Sequence, residues 1–170
     1  MENVVLVDTD DRPIGLMEKM EAHEKALLHR AFSVFIFDSR GRMLIHRRAL
    51  SKYHSGGLWT NTCCSHPRDG ETAMEAAHRR LQEEMGFDCE LEHRFHFIYK
   101  AELDQGLTEH ELDHVFTGVY EGEIIPEAEE VMDYRYISMG DLDQELADDP
   151  MRYTEWFKIA LPNVREHLGI

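Results

Sequence analysis

The segment that most restricts the possible folds is ETAMEAAHRRLQEEMG, from Glu71 to Gly86. It has the periodicity of an amphipathic helix, with Gly86 where a C-terminal cap belongs and apolar residues at helical spacing: Ala73, Ala77, Leu81 and Met85. Strand-like runs lie on both sides of it. The sequence therefore predicts an α+β fold, in which helices pack on a mixed β-sheet.

The predicted strands are rich in β-branched and aromatic residues and are separated by turn residues. A hairpin is expected where Arg30–Asp38 is followed by the turn SRGR and by Met43–Arg48. Other predicted strands are Val4–Asp8, Trp59–Cys64, Cys89–Leu103, Leu112–Gly122 and Val131–Ser138. Two short helices are expected between residues 141 and 167. No repeat or linker interrupts the chain, so residues 1–170 are expected to form one domain.

The composition narrows the classes of function. With 34 acidic against 18 basic residues, the formal net charge is −16, which disfavours binding to nucleic acid or to an anionic membrane. No run of apolar residues is long enough to span a bilayer, and MENVVLVDTDD lacks the features of a signal peptide. Three cysteines do not make a disulfide framework. We therefore expect a cytoplasmic protein, monomeric or homodimeric, with a small-molecule substrate.

The predicted helix carries most of a known motif. Glu71, then Arg79, Leu81, Glu83–Glu84 and Gly86–Phe87 fit the pattern G-x5-E-x7-R-E-U-x-E-E-x-G-U, where U is aliphatic or aromatic. This pattern resembles the box of the Nudix superfamily. Two positions depart from it, since Ser65 replaces the opening glycine and Arg80 replaces the glutamate after Arg79. The second change removes a carboxylate that Nudix hydrolases use to hold metals, so diphosphate hydrolysis is disfavoured.

Further motifs resemble one branch of that superfamily, the type I isopentenyl-diphosphate isomerases. An arginine at the position of Arg80 is itself typical of that branch. The resemblance covers nearly the whole chain and rests on EKMEAH (18–23), HRAFS (29–33), HRRALSK (46–52), GLWTNTCCSHP (57–67), RRLQEEMG (79–86), TEHELDHVF (108–116) and EVMDYRYI (130–137). The position of Ser65 is commonly occupied by glycine in the family. We therefore expect the turn after Cys64 to differ slightly here.

The resemblance implies a divalent metal site. Its ligands would be His23, His29, His66, Glu109 and Glu111. Glu109 and Glu111 stand two apart, so both carboxylates would share one face of a strand. His23 and His29 stand six apart and can meet at one ion only if the chain turns between them. The nitrogen and oxygen donors suit Mn²⁺, Mg²⁺ or Zn²⁺.

The resemblance also assigns substrate contacts. The substrate diphosphate would be bound by four bases: Lys19, Arg48, Lys52 and Arg80. A Mg²⁺ ion arriving with the diphosphate would be held by Glu84 and the main-chain carbonyl of Cys64. Trp156 matches the family's pocket tryptophan. No role follows for the remaining histidines: His46, His54, His78, His93, His96, His110, His114 and His167.

Cys63 and Cys64 alternate across a predicted strand, so only one of them can face a pocket. The resemblance selects Cys64, and Cys63 and Cys89 are interpreted as small buried hydrophobic residues. The implied reaction converts isopentenyl diphosphate to dimethylallyl diphosphate by protonation at C4 and deprotonation at C2. Cys64 and Glu111 are the acid–base candidates, and Tyr99 can share the proton of Glu111.

Two alternatives remain open on the sequence. One is a Nudix hydrolase of a nucleoside or other diphosphate, which would release phosphate or a nucleoside monophosphate. The other is a metal-binding regulator without catalytic activity, which would bind metal and convert no diphosphate. Product analysis distinguishes all three functions.

Overall fold

A nine-stranded sheet runs through the computed structural model, which describes residues 2–170. The strands are β1 Asn3–Val7, β2 Pro13–Glu18, β3 His29–Phe37, β4 Met43–Arg48, β5 Trp59–Thr60, β6 Cys63–Ser65, β7 Glu92–Glu102, β8 Thr108–Val119 and β9 Val131–Ile137. The helices are α1 Lys19–Glu24, α2 Ala73–Met85, α3 Met139–Asp148 and α4 Glu155–Leu168, with a 3₁₀ turn at Pro150–Arg152. The predicted α+β architecture is confirmed.

Strand β3 is the centre of the sheet. It pairs in parallel with β8 along one edge, from His29 opposite Glu111 to Phe37 opposite Val119. Its other edge is shared by three antiparallel partners, namely β1, β6 and β4. Because β6 and β8 flank β3, side chains from both strands can reach a common pocket at the end of the sheet.

The sheet is covered on both faces, which explains why β3 is apolar along almost its whole length. Phe32, Val34 and Ile36 point to the side where α2 packs. Phe35 points to the opposite side and contacts the cluster that contains Phe157 of α4. Side chains alternate across a strand, so a strand buried on both faces reads as a continuous hydrophobic run.

Helix α2 begins at Ala73, two residues later than predicted, because Thr72 caps it. The Thr72 hydroxyl accepts from the Glu75 N–H, and the Glu75 carboxylate accepts from the Thr72 N–H. The helix ends at Gly86, whose φ of 73° lies in the left-handed region. A Cβ at this position would lie 2.2 Å from the carbonyl oxygen of Ile125, so glycine is required here.

The predicted strand Trp59–Cys64 is wrong as a single element, because it divides into β5 and β6. Between them, Asn61 Nδ2 donates to the carbonyls of Val34 and Cys63. Thr62 Oγ1 donates to the Leu44 carbonyl and accepts from the Ile36 N–H. Between β5 and β6, hydrogen bonds from the side chains of Asn61 and Thr62 thus take the place of backbone hydrogen bonds between strands.

Strand β2 and helix α1 were not predicted. Strand β2 is mostly exposed, and α1 has only six residues. Within residues 2–170, no helix combines the length and the apolar character needed to cross a membrane.

Candidate active site

A cavity opens at the end of the sheet, bounded by β6, β8 and the N-terminal part of α4. Most of the predicted site residues line it. The lining residues are Glu2, Lys19, Arg48, Lys52, Tyr53, His54, Cys64, Ser65, His66, Arg80, Glu84, Tyr99, Glu109, Glu111, Glu130 and Trp156. His23 and His29 do not line it, but they cluster with two residues that do, His66 and Glu111.

Strand β8 aligns the acidic side chains of the site. Glu109 and Glu111 are buried on the same face of the strand, as their two-residue spacing predicts. Glu111 lies opposite His29 of β3 on one side and opposite Tyr99 of β7 on the other. The register therefore brings an imidazole and a phenol to this carboxylate.

The chain between His23 and His29 makes the turn that a common site requires. Helix α1 ends at Glu24, Ala26 adopts a positive φ of 55°, and β3 begins at His29. His23 Nδ1 lies 2.7 Å from the Lys19 carbonyl oxygen, and His29 Nδ1 lies 2.9 Å from that of Leu27. Since a carbonyl only accepts, both Nδ1 atoms carry a proton, and both Nε2 atoms are left to face the site.

The Nε2 atoms of the histidines converge on carboxylate oxygens. Glu111 Oε2 lies 3.1 Å from His29 Nε2 and 2.8 Å from His66 Nε2. His23 Nε2 is buried without a hydrogen-bond partner, and the ligand atoms of all four residues lie within 4.8 Å of one another. One cation placed among these atoms would satisfy the unpartnered His23 Nε2 together with the clustered nitrogens and the carboxylate. The donor set therefore fits a divalent metal ion.

The ionisation of the site also suits metal binding. Burial lowers the pKa of His66 to about 4, so its imidazole is neutral. Burial opposes ionisation of Glu111, but His29 and His66 outweigh that effect and hold its pKa well below its usual range. Neutral imidazole and ionised carboxylate are the forms that ligate metals.

Glu109 and Tyr99 complete the cluster. The Tyr99 hydroxyl lies 3.0 Å from Glu109 Oε1 and 2.5 Å from Glu111 Oε1. Burial raises the pKa of Glu109, and the charge of Glu111 raises it further. Burial together with the two carboxylates raises the pKa of Tyr99 well above its ordinary value. The phenol therefore keeps its proton and can donate it to only one carboxylate at a time.

Strand β6 separates the two adjacent cysteines. Cys64 lines the cavity, whereas Cys63 is fully buried in the core beneath α2. Burial raises the pKa of the Cys64 thiol well above its usual range, and Arg48 only partly offsets this. Ser65 is the last residue of β6 and pairs with Phe32. Among the described residues it is not one with a positive φ, so its backbone conformation does not require glycine.

The predicted diphosphate bases also lie at the cavity, where carboxylates partly neutralise them. Lys19 Nζ lies 3.0 Å from Glu2 Oε2, and Lys52 pairs with Glu130. Arg80 donates to Glu84 over 2.8 Å, in agreement with their i, i+4 spacing on α2, and its guanidinium lies 3.4 Å from Glu130. The fourth base, Arg48, places its guanidinium carbon 5.0 Å from the ring centroid of Trp156.

Trp156 lies near the start of α4 and is 3 % exposed. It packs with Tyr99 and Ala101 and borders Cys64. Its indole Nε1 is buried without a hydrogen-bond partner. The residue therefore both fills the apolar end of the cavity and presents an aromatic surface to it.

Sequence reasoning missed His54, to which it gave no role. His54 lines the cavity, and its ring centroid lies 5.4 Å from that of Trp156. Burial lowers its pKa to about 2, and its Nε2 is unpartnered 3.9 Å from Glu109 Oε2. Its neighbour Tyr53 and the acidic residues Glu2 and Glu130 were missed as well. The preceding motif HRRALSK was the one signal that pointed to this loop.

Comparisons with known proteins identify the fold. The model of the NUDIX domain family matches residues 27–157. The crystal structure of DR0079 from Deinococcus radiodurans superposes with a TM-score of 0.77 at 16 % identity, covering 95 % of this chain and 98 % of that one. A MutT NUDIX hydrolase from Burkholderia pseudomallei gives a TM-score of 0.61 at 20 % identity, covering 79 % and 96 %. At such identities these structures establish the fold alone.

Sequence relatives are more specific. The isopentenyl-diphosphate Delta-isomerase of Burkholderia multivorans is 53 % identical over 156 residues, covering 92 % of this chain and 89 % of that protein. The isopentenyl-diphosphate Delta-isomerase of Pectobacterium atrosepticum is 48 % identical over 167 residues, covering 98 % and 93 %. With this identity over nearly its whole length, the chain belongs to the isopentenyl-diphosphate Delta-isomerase family of NUDIX-domain proteins.

Proposed function

We propose that this protein isomerises isopentenyl diphosphate to dimethylallyl diphosphate. One proton is added to the terminal alkene carbon C4 and a different proton leaves C2, so the reaction is balanced without a redox partner. The observation that carries the proposal is the meeting of Cys64, Glu111 and four cationic side chains at one cavity. The cations suit the diphosphate, and the thiol and the carboxylate suit proton transfer.

The acid–base pair is Cys64 and Glu111. Their strands, β6 and β8, lie on opposite edges of β3, which supports an approach to a planar allylic unit from two sides. The Cys64 thiol keeps its proton near neutral pH, and its task is proton transfer rather than covalent attack. Tyr99 holds a hydroxyl at Glu111 and relays or fixes its proton.

One divalent ion would be held by His23, His29, His66, Glu109 and Glu111. Mn²⁺, Mg²⁺ and Zn²⁺ all accept this mixture of nitrogen and oxygen donors. A cation at this site would draw electron density from the Glu111 carboxyl group and make its protonated form a stronger acid. Glu84 and the Cys64 carbonyl would hold a Mg²⁺ ion that arrives with the diphosphate.

Four cations bind the diphosphate: Lys19, Arg48, Lys52 and Arg80. Arginine offers paired donors in a plane, and lysine acts as a compact charge. Trp156 presents its indole to the carbon chain, where positive charge develops after C4 is protonated. The burial of Trp156 and Tyr99, against which the partly buried Cys64 packs, supports exclusion of water, which would otherwise trap the cation as an alcohol.

The hydrolase alternative is the weaker one. Arg80 occupies the position of a box glutamate, and its guanidinium pairs with Glu84, so one carboxylate of a hydrolytic metal cluster is replaced by a cation. The two sequence relatives described above, which cover nearly the whole chain, are named isopentenyl-diphosphate Delta-isomerases.

The test is incubation of the purified, Mg²⁺-supplied protein with isopentenyl diphosphate in D₂O, followed by NMR of the products. Dimethylallyl diphosphate carrying deuterium in a methyl group is expected, because the proton delivered to C4 exchanges with solvent. A phosphate assay on the same sample serves as the control. Inorganic phosphate as the main product would refute isomerisation in favour of hydrolysis, and bound metal without any product would leave only a binding role.

A further inference from the structure

Three histidines that the active site does not use meet on the outer face of the β7–β8 ribbon. His93 Nε2 lies 2.9 Å from His114 Nδ1, and the His96 ring centroid lies 5.3 Å from that of His114. One ring nitrogen from each of the three lies within 4.8 Å of the other two. None of the three lines the catalytic cavity.

A β-bulge brings these side chains to one face. His96 lies directly opposite His114 in the antiparallel ladder, so their side chains are neighbours. His93 stands three residues before His96 and would point to the opposite face of a regular strand. The register shift between His93 and Phe95 corrects this, because His93 lies opposite Phe116, which shares a face with His114.

A carboxylate hydrogen-bonds to the ring nitrogen of His114 that faces away from His93, and so orients this imidazole. Asp11 Oδ2 lies 2.9 Å from His114 Nε2. Since a carboxylate only accepts, His114 carries its proton on Nε2 and directs the Nδ1 lone pair towards His93 Nε2. This is the arrangement in which an outer carboxylate fixes a metal-binding histidine.

Asp11 is itself held in place. Arg30 Nε donates to Asp11 Oδ1 over 2.7 Å, and Arg30 Nη2 donates to the Asp11 carbonyl over 2.6 Å. Asp11 lies in the turn between β1 and β2 with a φ of 63°. The supporting group therefore comes from a different part of the chain than the three histidines.

Two of the three imidazoles, those of His93 and His114, are weaker bases here than in solution. Burial lowers the pKa of His114, and Asp11 does not fully offset it. Burial and the neighbouring His96 lower the pKa of His93. Neutral rings are the ones that ligate metals.

We propose that His93, His96 and His114 form a second metal site, which binds a borderline divalent transition-metal ion such as Zn²⁺. Three nitrogen donors suit Zn²⁺, with a fourth position open to water, and do not suit Mg²⁺, which prefers oxygen. A bound ion would join two strands to each other and, through Asp11, to the β1–β2 turn.

The test is equilibrium dialysis of the whole protein against Zn²⁺, read as zinc per chain by elemental analysis. Each wild-type chain is expected to bind one more Zn²⁺ ion than a chain of the variant His96→Asn. The control His78→Asn changes a partly exposed histidine that is paired with a single carboxylate, and it should retain the wild-type stoichiometry. His96→Asn should also keep wild-type isomerase activity, which shows that it is folded.

Two further arms make the test decisive. His66→Asn alters the catalytic cluster and should still bind the equivalent that His96→Asn lacks. Asp11→Asn should weaken zinc binding roughly 10- to 100-fold without altering the number of ligands. Equal zinc content in the wild type and His96→Asn would overturn the second site, whether or not the isomerase proposal holds. An equal difference with Mg²⁺ would overturn its assignment to a borderline metal.

Discussion

The thiol of Cys63 donates to Glu84 Oε2 over 2.8 Å, while Arg80 Nη2 donates to the other oxygen of the same carboxylate over 2.8 Å. Glu84 is buried, so both contacts replace hydration that the carboxylate has lost. Cys63 lies in the core, as expected for a small buried residue, but it also fixes the orientation of Glu84. The two adjacent cysteines therefore serve opposite sides of β6.

This arrangement predicts different effects for the two cysteines. Cys64→Ala should remove nearly all turnover, because it deletes an acid–base group. Cys63→Ala should leave most turnover at saturating Mg²⁺ but require more Mg²⁺, because Glu84 loses a donor. Cys63→Ser keeps a donor and should restore the wild-type requirement. Steady-state rates across a Mg²⁺ titration measure all three, and equal losses in the two alanine variants would show that the facing of the strand is misassigned.

The position of Glu2 predicts that removing its charge improves substrate binding. Its carboxylate pairs with Lys19 at 3.0 Å in the cavity, where the diphosphate is proposed to bind. Glu2→Gln removes this competing anion and should lower the KM. A partly exposed ion pair contributes about 0.2–1 kcal/mol, so the decrease should be roughly 1.4- to 5-fold.

The matched control is Glu21→Gln, which breaks the exposed Lys25–Glu21 pair of 2.7 Å outside the cavity. It should leave the KM unchanged. A rise in KM in Glu2→Gln would instead mean that Glu2 supports substrate binding, for example by positioning Lys19.

Much of the fold could be predicted from sequence periodicity. Helix α2 combines apolar spacing with caps at both ends, and the buried strands are long and apolar. Strand β2 could not be predicted in this way, because its exposed side chains show no alternation. The break between β5 and β6 depends on Asn61 and Thr62, whose side chains hydrogen-bond to β3 and β4. Such contacts exist only once the sheet has formed.

Site residues could be predicted where a motif, or the alternation of side chains along a strand, determines which way the side chains point, as at Glu109 and Glu111. His54 was not, because it lies in an irregular loop where Ser55 has a φ of 54°. The three-histidine cluster was hidden for a related reason. Residues three apart in a regular strand point in opposite directions, and the bulge that reverses this at His93 has no sequence signal of its own.

A buried histidine outside the site predicts a dependence of stability on pH. His46 Nδ1 donates to the Thr62 carbonyl over 2.9 Å, and burial lowers its pKa from 6.5 to about 4. The unfolded chain therefore takes up this proton first as the pH falls. The stability linked to His46 is fully present above pH 6.5 and is lost between pH 6.5 and pH 4, by about 3 kcal/mol.

His46→Asn keeps a donor for Thr62 but does not titrate in this range. Its free energy of unfolding, measured by urea denaturation, should fall less steeply than that of the wild type between pH 6.5 and pH 4. At neutral pH the variant should be the less stable of the two, because the smaller side chain leaves a gap. If the free energy of unfolding fell equally steeply with decreasing pH in the two proteins, the neutral state of His46 would be contradicted.

The two tryptophans of the chain allow a chemical role to be separated from packing. Both are buried and both have a guanidinium over the ring, at 5.0 Å for Arg48 on Trp156 and at 4.7 Å for Arg135 on Trp59. Only Trp156 lines the catalytic cavity. If its indole stabilises the developing cation, kcat should fall in the order Trp156, Trp156→Phe, Trp156→Leu, with little change in KM.

Loss of a desolvated cation–π contact of about 2 kcal/mol corresponds to a rate reduction of roughly 30-fold in Trp156→Leu. Trp59→Leu should lower the Tm but leave kcat of the folded protein unchanged. An ammonium diphosphate analogue that mimics the cation should lose far more affinity for Trp156→Leu than a neutral diphosphate of the same shape. Equal losses for the two ligands would mean that the ring only fills space, because packing cannot distinguish a charged ligand from its neutral counterpart.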